Sequence, residues 1–503
     1  MDITKHFAGT RLDISSGKSL YHQIAVIIAE KIKSRELPPG TRLLPERDLA
    51  VLFEVSRTTA INAYRLLEQE GLVRTRVGSG TYVTEQLAAE KEKEVPWTQL
   101  FKSYNQSYAS SVLREMVSAN SSLAGIISFA TGMPDPYFYP VKTLAELFNR
   151  IESTNKADFG YIPTAGYGPL RGSICEMLKS YGITSRPEEV MVVSGSQQGL
   201  YLLSKALLEP GDYVVMESPT FLGAIQAFQA AGAKILSIDT SEPHFLSLLE
   251  DYIIRYRPKF LYIMPTFQNP SGSLLPLKER QDLLTLAARH RLVIVEDDPY
   301  GELYYGQAPP PPLKALDSYG GVVHLGTFSK ILIPGLKIGY LAAPAVLIKR
   351  MAFAKQYVDL NANNVTQWLL HRYLEEGRLS DHLAMVRREY KKRRDAMARA
   401  LRRFCQHDLE FDFPEGGFYI WCKLREAETV SRLLHEAVKN GLSFVPGDAF
   451  YASGATGKEF RLCFATHNEG IIAEGVRRLG KALAATKKDK NEASQPLPGP
   501  PIV

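Results

Sequence analysis

Cysteine is scarce in this chain of 503 residues, which has four: Cys175, Cys405, Cys422 and Cys463, none in a C-x-x-C spacing. So scattered a set makes neither a zinc clamp nor a disulfide framework, so no metal site and reduced thiols in a cytoplasmic setting are expected. Long apolar runs are also missing. No stretch of about 18 apolar residues occurs, which leaves no candidate membrane span. The first residues, Met1-Asp2-Ile3-Thr4-Lys5, hold no apolar signal core, so export is not expected. Charge of one sign does not dominate: a net charge of +6 and a pI near 8.8 permit an anionic partner without requiring one. What is present is ordinary globular composition, 45% hydrophobic and 23% charged, over a length that calls for two or more domains.

The first eighty-odd residues carry helical periodicity. Leu20, Ile24, Ile27, Ile28 and Ile32 mark one helix, stopped by Pro38-Pro39-Gly40. A second helix is predicted after Leu44, with Pro45 in its first position. Glu54-Val55 then forms a short turn, and Ser56 has the chemistry to cap a third helix that ends at Gly71. Two short helices about a tight turn make a helix-turn-helix, whose second helix enters the DNA major groove by its N-terminal turn. That turn presents Ser56, Arg57, Thr58 and Thr59; arginine forks onto a guanine edge, and hydroxyls suit phosphates or bases. Leu72–Val77, Gly78-Ser79-Gly80 and Thr81–Val83 then read as a hairpin wing with Arg74 and Arg76 on one face. Residues 1–84 hold 12 Lys and Arg against 9 Asp and Glu, a weak DNA signal by itself.

The pattern is more specific than the charge. Leu43–Ala50, Val55–Thr59, Leu67–Val73 and Gly78–Val83 together resemble the GntR family of bacterial winged-helix regulators. The resemblance implies that Arg47, Arg57 and the wing glycines Gly78 and Gly80 approach double-stranded DNA.

Residues 85–107, with Glu90-Lys91-Glu92-Lys93-Glu94, read as a polar tether, and residues 486–503 as a disordered tail. The basic run from Arg387 through residue 403 reads as the solvated face of a long helix, with a supplementary DNA contact as the alternative.

From about residue 125 the pattern changes to apolar strands alternating with amphipathic helices: Val190–Val193, Tyr213–Met216, Phe260–Met264, Val293–Val295 and Val322–Leu325. The fold class is α/β, a mostly parallel sheet covered on both faces, whose ligands sit at the carboxyl ends of the strands. The unusual residues fall there. Ser194–Gly199 opens a helix as a phosphate nest; Asn269, Asp297, Tyr300 and Lys330 follow later strands. That set matches the needs of pyridoxal phosphate (PLP): a lysine amine for the aldehyde, a carboxylate for the ring nitrogen, an amide and a phenol for the ring hydroxyl.

Here Ser128–Asp135, Tyr161–Gly172, Ser194–Gly199, Asn269–Gly272, Asp297–Tyr300, Thr327–Lys330 and Arg461 resemble the fold-type-I PLP aminotransferases of the kynurenine/aminoadipate branch, a resemblance that covers residues from about 108 to 485. The resemblance implies that Lys330 is the catalytic lysine and holds the cofactor. Asp297 pairs with the pyridine nitrogen, Asn269 and Tyr300 bind the ring hydroxyl, and Phe221 stacks on the ring. Ser196, Gln197, Thr327 and Ser329 hold the phosphate, and Tyr161 reaches it from a second subunit. Arg461 grips a substrate carboxylate and Gly132 lines the substrate side. One position departs from the family: Lys337 stands where an arginine is usual, keeping the charge but losing the two-pronged geometry.

A GntR-type reader joined to an aminotransferase-like domain resembles the MocR/GabR subfamily of regulators. This implies a head-to-tail, domain-swapped homodimer, cytoplasmic and nucleoid-associated when bound to DNA. The expected function is transcription regulation in response to PLP or an amino-carboxylate effector, through aldimine exchange at Lys330 and with little or partial transaminase turnover. The alternative is an active aminotransferase with an accessory DNA-binding domain.

Overall fold

The computed structural model describes residues 19–76, 79–84, 125–151, 159–425 and 429–493, together with Phe7 and Leu12, with side chains in the last helix described as far as Lys487. The chain divides into two units, Met1–Asn105 and Gln106–Val503. The proposed tether from residue 85, Val77 and Gly78 lie outside the described residues.

In the first unit, helices α1 (Leu20–Lys33), α2 (Glu46–Leu52) and α3 (Arg57–Gln69) precede the antiparallel pair β1 (Val73–Arg76) and β2 (Gly80–Val83). The apolar stripe of α1 buries Ile24 and Ile28 against Leu49, Ala60, Tyr64 and Leu67 in one small core. Pro45 is not in the first turn of α2 as predicted. Its ψ of 147° is extended, so it stands just before the helix, as the capping position.

The second unit opens with β3 (Ile127–Ser128), α4 (Val141–Phe148) and α5 (Gly168–Lys179). The main sheet then assembles from β4 (Val190–Val193), α6 (Ser196–Leu207), β5 (Tyr213–Glu217), α7 (Leu222–Ala230), β6 (Lys234–Ile238), α8 (Phe245–Tyr256) and β7 (Phe260–Ile263). It continues through α9 (Leu277–His290), β8 (Val293–Asp298), α10 (Leu313–Leu316), β9 (Val322–Thr327) and β10 (Gly339–Ala342). Spatial order is β4-β10-β9-β8-β7-β5-β6, parallel except for β10, which runs antiparallel to both neighbours. Strands β4, β7 and β9 are buried along their whole length, as expected of strands covered on both faces.

The chain leaves the sheet through α11 (Ala345–Gln356), α12 (Asn364–Glu375) and the long α13 (Arg378–Phe404). A four-stranded antiparallel sheet follows, from β11 (Leu409–Phe411), β12 (Tyr419–Leu424), β14 (Val445–Pro446) and β15 (Glu459–Cys463). Helix α14 (Val430–Lys439) and β13 (Leu442–Ser443), which pairs with β3, interrupt it, and α15 (Glu469–Ala493) closes the unit. The expected disordered tail is helical as far as Ala493, because Thr486 is buried and Lys487 pairs with Asp408 at 2.5 Å. Residues 494–503 lie outside the described residues.

The basic run on α13 is only partly a solvated face. Arg393 and Arg394 are buried: Arg393 bonds Asp135 and the carbonyl of Ala465, and Arg394 the carbonyl of Pro414 at 2.9 Å. Arg387 is held by Glu302.

Candidate DNA-reading surface and cofactor site

In the first unit the start of α3 is built as the sequence predicts. Ser56 caps it, its Oγ accepting the N–H of Thr59 at 3.1 Å and lying 2.8 Å from the Thr59 hydroxyl. Those two hydroxyls are therefore engaged in holding the helix start. Arg57 and Thr58 are exposed beside them, as is Arg47 on α2. The Arg57 guanidinium lies 3.2 Å from Glu46 in an exposed ion pair, an interaction of about 0–1 kcal/mol that a phosphate or base can displace. On the wing, Arg74 and Arg76 alternate on the exposed face of β1, with Arg76 stacked over Tyr82. Gly80 has φ +121°, and a Cβ there would meet Arg42 Nε at 3.0 Å. Arg42, which bridges to Tyr82, is a wing cation that the sequence reading passed over.

In the second unit most of the predicted residues lie at or just beyond the carboxyl ends of the main-sheet strands, with Arg461 added from β15. Lys330, in the turn after β9, donates from Nζ to the carbonyl of Gly132 at 2.6 Å. Burial, with Arg461 and Lys337 nearby, lowers its amine to about 8. Asp297, near the end of β8, is buried. Its Oδ2 accepts the Tyr262 hydroxyl at 2.7 Å, and its Oδ1 has no partner among the described residues. Burial pushes its carboxyl up to about 7 against the pull of the Tyr262 bond. Such an orphaned carboxylate oxygen costs free energy unless a donor meets it, and the protonated ring nitrogen of PLP is such a donor.

Arg461 on β15 is also buried. It donates to Asn269 Oδ1 at 2.7 Å and to the carbonyl of Ala130 at 2.8 Å, while its Nε has no partner among the described residues. Its guanidinium lies 4.1 Å from the centre of the Tyr419 ring. The Tyr419 hydroxyl is 2.9 Å from that of Tyr300. A Cβ at Gly132 would fall 1.9 Å from the same hydroxyl, so only glycine fits there.

The phosphate side is formed by Gly195, at φ +87°, which turns β4 into α6 and leaves Ser196 and Gln197 in the first helical turn. The Thr327 hydroxyl lies 3.2 Å from the N–H of Ser329. Gln197 donates to the carbonyl of Gly223 at 2.9 Å. Phe221 caps α7 and is half-buried. Lys337 is exposed, with φ +53°, and is close enough for its charge to act on Lys330. Tyr161 is 93% exposed in the single chain and does not join the others.

Tyr262 and Tyr419 are the site residues that sequence reasoning missed. Each sits in an apolar strand, where a phenol reads as core. The chemistry of the set fits PLP: an amine, an unpaired buried carboxylate oxygen, a helix start opened by glycine, and a buried arginine.

Two family models match the chain. Residues 125–479 match aminotransferase class I and II, and residues 20–83 match the bacterial regulatory proteins of the gntR family. The 2-aminoadipate transaminase of Thermus thermophilus is 39% identical over 396 residues, spanning 78% of this chain and 98% of that protein. The uncharacterized HTH-type transcriptional regulator YisV of Bacillus subtilis is 32% identical over 472 residues, spanning 93% of this chain and 96% of that protein. Among solved structures, the alpha-aminoadipate aminotransferase LysN of Thermus thermophilus, complexed with N-(5'-phosphopyridoxyl)-L-leucine, matches with a TM-score of 0.71 at 37% identity, covering 78% of this chain and all of that one.

Proposed function

We propose that this chain, which belongs to the class I and II aminotransferases and, with its gntR-family reader, to the MocR/GabR subfamily of regulators, senses PLP or an amino-carboxylate effector at Lys330. It is a DNA-binding transcription regulator with an aminotransferase domain, and PLP is its cofactor. The observation that supports the effector class is the pairing of two grips in one unit. Lys330 offers an amine position, and Arg461 offers a buried guanidinium whose Nε is unpartnered.

Bound PLP supplies an electrophilic carbon for a primary amine and a ring that withdraws electrons. The side chains do the rest. Lys330, with its amine lowered to about 8, is in part the free base near neutral pH. Asp297 Oδ1 would accept the ring N–H, while Asn269 and Tyr300 would hold the ring hydroxyl and Phe221 would cover its face. The N–H groups of the first turn of α6, with Ser196, Gln197, Thr327 and Ser329, hold the phosphate, and Lys337 adds a point charge rather than a fork. Arg461 takes the effector carboxylate by a charge-assisted hydrogen bond. Exposed Tyr161 completes the phosphate site of a second copy in a head-to-tail, domain-swapped homodimer. A change in what Lys330 and Arg461 hold would favour one of two dimer arrangements, which would present the two readers differently to DNA in the cytoplasm.

The test is DNA affinity of the full-length protein for its own upstream region, measured free of PLP, loaded with PLP, and loaded with a panel of amino carboxylates. Coupling of about 1–3 kcal/mol predicts shifts of roughly 5–150-fold. Identical binding in all three states overturns the proposal. The intact Lys330–Asp297 set and the likeness to the Thermus transaminase favour a second reading, an aminotransferase with an accessory reader. Rapid multiple turnover with unchanged DNA binding selects it.

A further inference from the structure

On the face of the main sheet opposite the cofactor residues lies a cavity of about 670 Å3, which shares only Thr327 with them. Strand alternation explains its chemistry. Asp297 faces the cofactor, so Glu296 and Asp298 on either side of it in β8 point the other way. Glu296 is fully engaged, accepting the N–H groups of Leu313 at 2.6 Å and Lys314 at 3.0 Å and pairing with His324 at 2.9 Å. Asp298 is not. Among the described residues its one hydrogen bond comes from the N–H of Gly301, at 2.7 Å to Oδ1, which leaves Oδ2 for the cavity.

The neighbouring cations are committed elsewhere. Arg280 donates to the carbonyls of Leu275, Pro265 and Pro311 and to Thr266, while Arg387, on the cavity wall, is held by Glu302 and stacked on the Tyr304 ring. The remaining wall includes Tyr181, Tyr340 and the segment Pro309–Pro312, which are aromatic and apolar surfaces. The volume falls within the range of small-molecule sites, roughly 300–1,000 Å3.

We propose that this cavity is a second small-molecule site, for a cationic amine with an apolar body that donates its N–H to Asp298 and lays its body on the tyrosine and proline wall. The site is linked to the first. Burial and then the charge of Asp298 are among the causes that raise the Asp297 carboxyl. A cation at Asp298 offsets that charge and favours the Asp297 carboxylate, the form that pairs with the ring nitrogen of PLP. Amine and cofactor therefore strengthen each other's binding. The coupling rests on the PLP reading above; the amine site does not.

The probe is N,N-dimethylbenzylamine, which is protonated near neutral pH, carries one N–H and, as a tertiary amine, forms no Schiff base with PLP. Titration calorimetry on the full-length protein, with and without PLP, is expected to show saturable binding of one probe per chain. Asp298→Asn should weaken it by about tenfold or more, since one charge-assisted hydrogen bond is lost. Saturating probe should raise PLP affinity severalfold, and Asp298→Asn alone should reproduce that rise. Ser180→Trp, on the exposed rim, should close the cavity and abolish probe binding, and it decides the matter should the Asp298 variant not fold. Absence of saturation up to about 10 mM, or unchanged affinity in the variants, overturns the site. Saturable binding that leaves PLP affinity unmoved overturns the coupling.

Discussion

Tyr262 donates its hydroxyl to Oδ2 of Asp297 at 2.7 Å, deep in the sheet and 35 positions away in sequence, while Oδ1 is left without a partner. One oxygen is thus fixed by the protein and the other is open to a further donor. The Tyr262 bond favours the charged form of a carboxyl that burial otherwise drives toward neutrality.

Tyr262→Phe should therefore raise the Asp297 carboxyl further and weaken PLP. A hydrogen bond to a charged group is worth about 1.5–3 kcal/mol, so a loss of at least about tenfold in PLP affinity is expected. Absorbance titration of the full-length variant measures it. Unchanged affinity would show that Tyr262 is only packing.

Covalent capture of PLP needs the free amine of Lys330, which burial lowers to about 8. The capture rate should climb with pH, reach half its limit near pH 8, and level off about one to two units higher. Stopped-flow absorbance across pH 6–10 is the measurement. A rate still climbing past about pH 10 would mean an ordinary lysine.

Burial raises Asp297 to about 7, well above its unfolded value of 3.8. The folded, cofactor-free protein then holds a proton that the unfolded chain has released. That contribution to stability is full below the unfolded value and is lost as pH rises through the folded one. PLP offers a positive partner to the carboxylate, so the Tm gain on adding PLP should be larger at about pH 7.5 than at about pH 5.5. Thermal melts with and without PLP at both values test this, and a gain that shrinks with pH contradicts it.

Arg57→Ala removes an exposed pair with Glu46 and should change stability by less than about 1 kcal/mol. Its effect should fall on DNA, with a loss of about tenfold to a hundredfold at a guanine-containing site, since one bidentate base contact is worth about 1–3 kcal/mol. Glu46→Gln frees the guanidinium and should leave DNA binding equal or tighter. Anisotropy titrations with matched salt compare the three proteins; wild-type affinity in Arg57→Ala removes this residue from the interface.

Much of this architecture is legible along the chain because it is periodic or local. The apolar stripe of α1, the Ser56 cap and the alternation of Arg74 and Arg76 depend on neighbours a few residues away. The placing of Asp297 and Lys330 at strand ends follows from the way parallel sheets bind ligands. The failures have equally specific causes. Pro45 stands outside its helix because its ψ is extended. The tail beyond 485 stays helical because Thr486 is buried and Lys487 pairs with Asp408. Arg393 and Arg394 turn inward toward Asp135 and backbone carbonyls that no local rule brings near.

The order of residue types thus determined the two kinds of domain, the amine, the acid and the exposed arginine at the start of α3. Tertiary structure decided which partners they have: Gly132 for Lys330, 198 positions away, Tyr262 for Asp297, and Tyr419 for Tyr300 across 119 positions. The physical reason is range. Periodicity and caps act within a few residues, whereas an orphaned oxygen, a stacked guanidinium or a cavity behind a strand exists only once distant segments are packed against one another.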